Sequence, residues 1–400
     1  MQHVELTELQ TFAAGLVALA VGTALGRRLR ILERLDIPMP VIGGVLIALG
    51  VAALRRFAHV EILFASKISE FLLLMFFTAV GLSAKLSALK AGGKPLIILC
   101  AVTVFMIVAQ NLVGVLVALA YGAHPFYGLL VGSISFVGGP GTAAAWAKHA
   151  QAAGLTAAPE VAVAGATLAV ISGAIVAGPL TGWLVRRHDL HGATVASGAP
   201  WLEYSPAAHT AAPPIAQAMR TLLLMIVAVL IGDTLNAWAN AAGLVLPGFL
   251  TAMLGGVLIT NLADASGANL DFGPIERNGE MSLQAFLAMY LMSLKLWTIG
   301  GVIVPLAVNV ALQILITTLV AFLMLFRLLG RDYDAALTAG GFIGFGLSSM
   351  AVGIATMDKV ASRYGPAPKA FLLITLAGSF FVDLANAFVV QAFLALPMFR

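Results

Sequence analysis

Long apolar runs recur along the chain and are separated by short polar stretches. A helix needs about 20 mostly apolar residues to cross the hydrocarbon of a bilayer. On that measure the runs predict spans at 9–26, 38–54, 68–84, 95–120 and 158–185. After a break come spans at 219–238, 246–262, 280–298, 302–326 and 369–396. The break, 188–218, is rich in Ala and Pro and carries His188, Asp189, His191 and Glu203, with Pro200, Pro206, Pro213 and Pro214, the composition of a solvated linker. The organisation expected is a first half at 1–187, a linker at 188–218 and a second half at 219–400.

Two stretches fit neither a span nor a loop: 127–148 (YGLLVGSISFVGGPGTAAAWAK) and 333–357 (YDAALTAGGFIGFGLSSMAVGIATM). Both are apolar at the ends and rich in Gly and Ser in the middle. Gly138, Gly139, Pro140 and Gly141 do not suit the interior of one continuous helix. Irregular backbone at membrane depth persists only where protein or a water-filled cavity satisfies its polar groups. Each stretch therefore reads as a re-entrant hairpin, two half-helices meeting at a broken tip; a glycine-kinked ordinary span is the other reading.

Composition turns this pattern into a fold class. Only 10% of residues are charged and 60% are hydrophobic, whereas soluble domains carry about 25% charged residues. A water-soluble globule is excluded, and membrane lipid must cover the surface of an all-α polytopic protein. The first ten residues hold Glu5 and Glu8 and no Lys or Arg, so they lack the basic start of a secretory signal, and the first apolar run is expected to stay as a helix. Cys100 is the single cysteine, which leaves no disulfide and no Cys-based metal or redox site.

The net charge of +4 would suit an acidic partner until it is sorted by position. With the N-terminus outside, the inner segments collect Arg27, Arg28, Arg30, Arg34, Lys85, Lys90, Lys94, Arg186, Arg187, Arg220, Arg277, Arg327, Arg331, Lys359, Arg363 and Lys369, 16 of the 22 basic residues. Cytoplasmic loops carry such an excess. The charge thus predicts periplasmic N- and C-termini and a cytoplasmic linker, and gives no sign of a nucleic-acid partner.

The two halves repeat. Gly43-Gly-Val-Leu-Ile47 recurs at Gly255–Ile259, and Ser83-x-Lys85-Leu86 at Ser293-x-Lys295-Leu296. Val17-Ala18, Gly22 and Leu25 match Val227-Ala228, Gly232 and Leu235; Tyr127, Phe136 and Gly138 match Tyr333, Phe342 and Gly344; Thr167-Leu-Ala169 matches Thr375-Leu-Ala377. Each half has five spans, an odd number, so the second enters the membrane from the opposite side. Inverted repeats with paired broken helices are characteristic of secondary transporters, whose substrate and coupling ion bind near the midplane. The two tips are expected to converge there.

A broken helix leaves unpaired N–H groups at the start of one half, which suit a carboxylate, and unpaired carbonyls at the end of the other, which suit Na+. On this basis Gly138, Gly139, Gly141 and Thr142 at one tip, and Gly344, Gly346, Ser348 and Ser349 at the other, are candidate substrate contacts, with the backbone of Gly139 and Gly344 available to Na+. In the last span Asp383 and Asn386 lie three residues apart, on one helix face. An ionisable group there is a functional candidate: Asp383 for Na+ or a substrate ammonium, Asn386 for hydrogen bonding to substrate or ion. Gln110, Asn111, Asn309 and Gln313 read as hydrogen-bonding glue between helices. An intramembrane aspartyl protease would need a second aspartate facing Asp334, and Leu347 stands where it should be.

The motifs PMPVIGGVLIAL (38–49), FFTAVGLSA (76–84), LKAGG (89–93), QN (110–111), SISFVGGPGTAAAW (133–146), FLAMYLMSLKLW (286–297), GFGL (344–347), RYGP (363–366) and FVDLANA (381–387) together resemble the bacterial sodium/glutamate symporter family, from the first span to the last. The resemblance implies a transporter and not an enzyme. It implies Na+-driven uptake of L-glutamate across the inner membrane, with Na+ as coupling ion, no organic cofactor and no transition-metal site. It also implies two re-entrant hairpins, and a homodimer whose transport domains move as elevators against a scaffold. A Na+-coupled carrier of hydroxy-dicarboxylates, which would share the hairpins but need no ammonium ligand, is the alternative.

Overall fold

The computed structural model describes residues 2–28, 38–89, 92–191, 215–242, 246–268, 270–295 and 303–399. Most of the expected linker, 192–214, lies outside the described residues, as do Arg30, Arg34, Lys90 and Arg400. Along the first half run α1 (Glu8–Arg28), α2 (Met39–Ala53), α3 (Lys67–Leu82), α4 (Gly93–Ala120), α5 (Pro125–Leu130), α6 (Ser133–Phe136), α7 (Gly139–Ala152) and α8 (Ala158–Arg187). Along the second run α9 (Ile215–Ala241), α10 (Gly248–Ala265), α11 (Phe272–Met292), α12 (Ile303–Leu319), α13 (Tyr333–Leu347), α14 (Met350–Tyr364), α15 (Pro368–Leu376) and α16 (Val382–Leu394). A π-helical segment, Ala377–Phe381, joins the last two.

Among the described residues, seven helices are long and apolar enough to cross a membrane: Glu8–Gly26, Met39–Ala58, Gly93–Ala120, Ala158–Arg187, Gln217–Ala241, Gly248–Ala265 and Val304–Leu328. The other three expected spans are helical but differ in kind. Helix α3 has 16 residues. Helix α11 carries Glu276, Arg277 and Glu280 in its first half, and the last run is divided by the π-helical segment. The chain also departs from the expected all-α class in one place. Strands β1 (Gln2–Glu5) and β2 (Val60–Leu63) pair in parallel, Gln2 opposite Val60. Four-residue strands at loop ends leave too short an alternation to be read beside 20-residue apolar runs.

The packing repeats where the sequence repeats. A Cβ on Gly43 would stand 1.7 Å from the carbonyl oxygen of Ala18, and one on Gly255 2.5 Å from that of Ala228. These are equivalent positions, so α1 crosses α2 as α9 crosses α10. The next glycines show an exchange between halves. Gly44 packs against Ala288 and Leu291 of α11, while Gly256 packs against Thr78 and Leu82 of α3. Each half thus lays its second helix on the third helix of the other.

Contacts divide the chain into two bodies. Helices α1, α2, α3, α9, α10 and α11 pack mainly on one another, and α4 to α8 pack with α12 to α16. The larger buried core, which includes Met106, Phe136, Phe342 and Phe345, belongs to the second body. At the Gly43 crossing the obstacle is backbone, which no rotamer change relieves. Gly43→Ala should therefore lower stability by at least about 1–3 kcal/mol, the usual cost of overpacking. Gly50, which has nothing within 4 Å of its Cβ position, provides the control: Gly50→Ala should be neutral or stabilising by up to about 1 kcal/mol. Thermal unfolding of the two variants in detergent compares them.

Candidate functional site

In both Gly/Ser-rich stretches the chain breaks and turns back. The first break falls at Val137–Gly138, and the rings of Phe126 and His149, equally far from it on either side, lie 6.3 Å apart. Gly139 opens α7 at φ 68°, the left-handed region, which a residue with a Cβ adopts only at a cost. The second break falls at Ser348–Ser349, between α13 and α14. The Ser349 hydroxyl caps α14 by accepting from the Val352 N–H at 3.4 Å. Helices α13 and α14 run close together because Gly344 faces Gly353, where a Cβ would stand 2.4 Å from the Gly353 Cα. The tips meet: a Cβ on Gly139 would lie 3.4 Å from the carbonyl oxygen of Ser348.

Side-chain amides hold these broken segments. Asn309 of α12 donates to the carbonyl of Val131, where α5 ends, and Asn111 Oδ1 accepts from the Ser133 N–H at 3.1 Å, where α6 begins. Gln110 donates to the carbonyl of Gly346 at 2.8 Å and to the Thr317 hydroxyl at 3.0 Å. Gln313 donates to the carbonyl of Gln110 at 2.9 Å. The Ser133 hydroxyl sits 2.8 Å from Asn111 Oδ1 and 2.6 Å from Asn386 Oδ1, and its proton serves one of them at a time.

A cavity of about 640 Å³ lies at the seam of the two bodies, against both tips. From the hairpin body it is lined by Gly138, Gly139, Pro140, Gly141, Ser348, Ser349, Met350, Gly378 and Asp383, among others. From the other body come Pro38, Met39, Phe76, Glu280, Leu283, Gln284 and Leu287. The wall carries two carboxylates, Asp383 and Glu280, and no Lys or Arg. Helices α7 and α14 both start at this cavity, and their first N–H groups have no intrahelical acceptor. A carboxylate is favoured at such ends by the helix dipole. Asp383 makes no hydrogen bond or ion pair among the described residues, so its charge is available to a cation in the cavity. The Ser348 hydroxyl is buried and likewise without a partner.

Four residues expected at the site do not line the cavity. Thr142 is buried one turn behind the first tip and packs beside Gly138. Gly344 and Gly346 lie inside α13: the first is taken up by the close approach of α14, the second by the hydrogen bond from Gln110. Asn386 is fully buried and joined to Ser133. The wall adds Glu280, Gln284 and Phe76, which the sequence reading missed. Glu280 and Gln284 stand four apart and so on one helix face, a spacing that marks a polar face without saying what it faces.

The sodium/glutamate symporter family matches residues 4–366. The Sodium/glutamate symporter of Haemophilus influenzae is 33% identical over 389 residues, covering 94% of this chain and 95% of the relative. That of Escherichia coli K12 is 35% identical over 402 residues, covering 98% and 99%. The solved sodium proton antiporter MjNhaP1 of Methanocaldococcus jannaschii aligns at a TM-score of 0.44 with 15% identity, over 97% of this chain and 96% of that one. A chain of apolar helices with a cavity between two bodies is a membrane transporter by construction of its parts. This one belongs to the sodium/glutamate symporter family, whose members are transporters and not enzymes.

Ser133→Ala tests the clasp around the first break. It leaves Asn111 and Asn386 short of a partner in a buried place, which costs about 1–3 kcal/mol, so the variant should unfold at a lower temperature while keeping its substrate affinity.

Proposed function

We propose that this chain carries L-glutamate into the cell with Na+, across the bacterial inner membrane, at the cavity where the two tips meet. The observation that carries the reading is Asp383, a carboxylate without a partner that lines this cavity beside two helix starts. In this reading Na+ binds first, at Asp383 and the backbone carbonyls of the tips around Gly139 and Ser348. It cancels charge in a cavity that has no basic side chain and so raises affinity for the anionic substrate. The substrate carboxylates take the N–H groups of Gly139, Gly141 and Met350, with the hydroxyls of Ser348 and Ser349 in reach. Each Na+ moving inward contributes about 2.3 kcal/mol per 100 mV, so a substrate of net charge −1 needs at least two for electrogenic uptake.

The same reading makes the halves inverted repeats and the two broken segments re-entrant hairpins that enter from opposite faces. The recurring glycine crossings at Gly43 and Gly255 support it. The hairpin body moves as an elevator against the body of α1 to α3 and α9 to α11, which supplies the homodimer contact. The site belongs mostly to one body and the opposing wall to the other, as that motion requires. The bias of basic residues supports periplasmic termini and a cytoplasmic linker.

Radiolabelled glutamate uptake into proteoliposomes is the test. Wild-type uptake should need an inward Na+ gradient, and uptake indifferent to Na+ would sink the reading. Asp383→Asn should lower uptake by tenfold or more, on the order of 1.4 kcal/mol or above, and flatten its dependence on Na+ concentration. If the variant lost glutamate transport but kept Na+-driven transport of a dicarboxylate without an amine, Asp383 would bind the ammonium and not the ion.

A further inference from the structure

Glu280 is the acid at this cavity that the transport reading leaves without a task. It lies on α11, in the first of the two bodies, one turn before Gln284, whose side-chain amide donates to its carboxylate at 3.2 Å. It makes no ion pair among the described residues. Most of the residues around the cavity are partly or wholly buried, whereas Glu280 and Ala355 are exposed, so they mark its mouth. Both lie toward one end of the bundle. Glu280 is in the first half of α11, and Ala355 lies on the stretch of α14 that leads to Tyr364, whose hydroxyl accepts from Arg186 at 3.3 Å. Pro38 and Met39, which follow the basic cluster from Arg27 to Arg34, line the same mouth. The opposite end is shut. There the Glu160 carboxylate accepts from the Lys295 N–H at 2.8 Å, and Lys148 stands 3.7 Å from Glu70, both contacts joining the two bodies.

We infer that Glu280 sets the affinity for the anionic substrate from the side of the basic loops alone, and speeds its release there. The inference rests on the proposed function for the sign of the substrate's charge. A carboxylate at the mouth repels a substrate with two carboxylates once the accompanying Na+ begins to leave, and no basic lining residue offsets it. Because Glu280 belongs to one body and the tips and Asp383 to the other, the repulsion acts only while the site faces α11 at this height. When the hairpin body moves away, the substrate leaves Glu280 behind. The residue therefore weakens binding on one face of the membrane and leaves the other untouched, which favours net uptake over exchange.

The test uses the full chain in proteoliposomes of known orientation and measures KM separately at each face for wild type, Glu280→Gln and Glu280→Asp. Glu280→Gln should lower KM on the face of the basic loops by about fivefold, the effect of one like charge at a solvated site, without changing KM on the opposite face. The gain should shrink as choline chloride is raised, since salt screens exposed charges, and Glu280→Asp should behave as wild type. An equal change on both faces, no change, or a rise in KM on the basic face would overturn the inference. The wild-type Na+-gradient assay is read first and bears on the glutamate reading alone. The comparison of faces is then made with whichever dicarboxylate the wild type carries, so the two failures stay separate.

Discussion

A peptide group that leaves its helix inside an apolar protein must find another partner, and the centre of this molecule is arranged around that requirement. Two helices break, which frees carbonyl and N–H groups where no bulk water reaches. Side chains of α4 and α12 answer part of the demand: Asn111 for the N–H of Ser133, Asn309 for the carbonyl of Val131, Gln110 for the carbonyl of Gly346. The groups next to the breaks are satisfied, and those at the tips face a cavity. The amides thus separate the part of the broken backbone that belongs to the architecture from the part left open to a ligand.

That separation explains the division into bodies. Everything needed to hold the tips, α4, α8, α12 and the last helix, packs with the hairpins, so the ligand-facing groups keep their mutual geometry if the body shifts as a unit. The opposing wall supplies mostly apolar side chains such as Met39, Phe76, Leu283 and Leu287, which have little directional preference and suit a surface past which the other body slides. Polar contacts across the seam are few and lie near one end, at Glu160 and Lys148.

Much of this was legible in the sequence. Apolar runs gave the helices because lipid allows few alternatives, and the glycine clusters marked where helices break. The limits lie in what a residue type leaves open. Gly344 and Gly346 looked like Gly138 and Gly139, yet the former pair is spent on close packing and the break falls at Ser348–Ser349, where capping and not glycine decides the turn. Asn386 shares a helix face with Asp383, but one turn of helix is enough to move from the cavity to Ser133. Glu280 went unread because a polar residue near a span's end is ordinarily solvated, and only the packing of the two bodies shows that it borders the cavity.

The π-helical segment Ala377–Phe381 bears on how that last helix keeps its aim. A π turn holds more residues than an α turn, and each residue of an α-helix advances the face by about 100°. Whatever follows the segment is therefore rotated relative to the helix that precedes it. The direction of the Asp383 carboxylate depends on the number of residues upstream as well as on its own side chain. Losing one residue between 377 and 381, and with it the wide turn, would swing the acid away from the cavity while leaving every side chain beyond the segment chemically intact. In this molecule a ligand can be removed by arithmetic alone, which makes the length of that short stretch as binding a constraint as the identity of the aspartate.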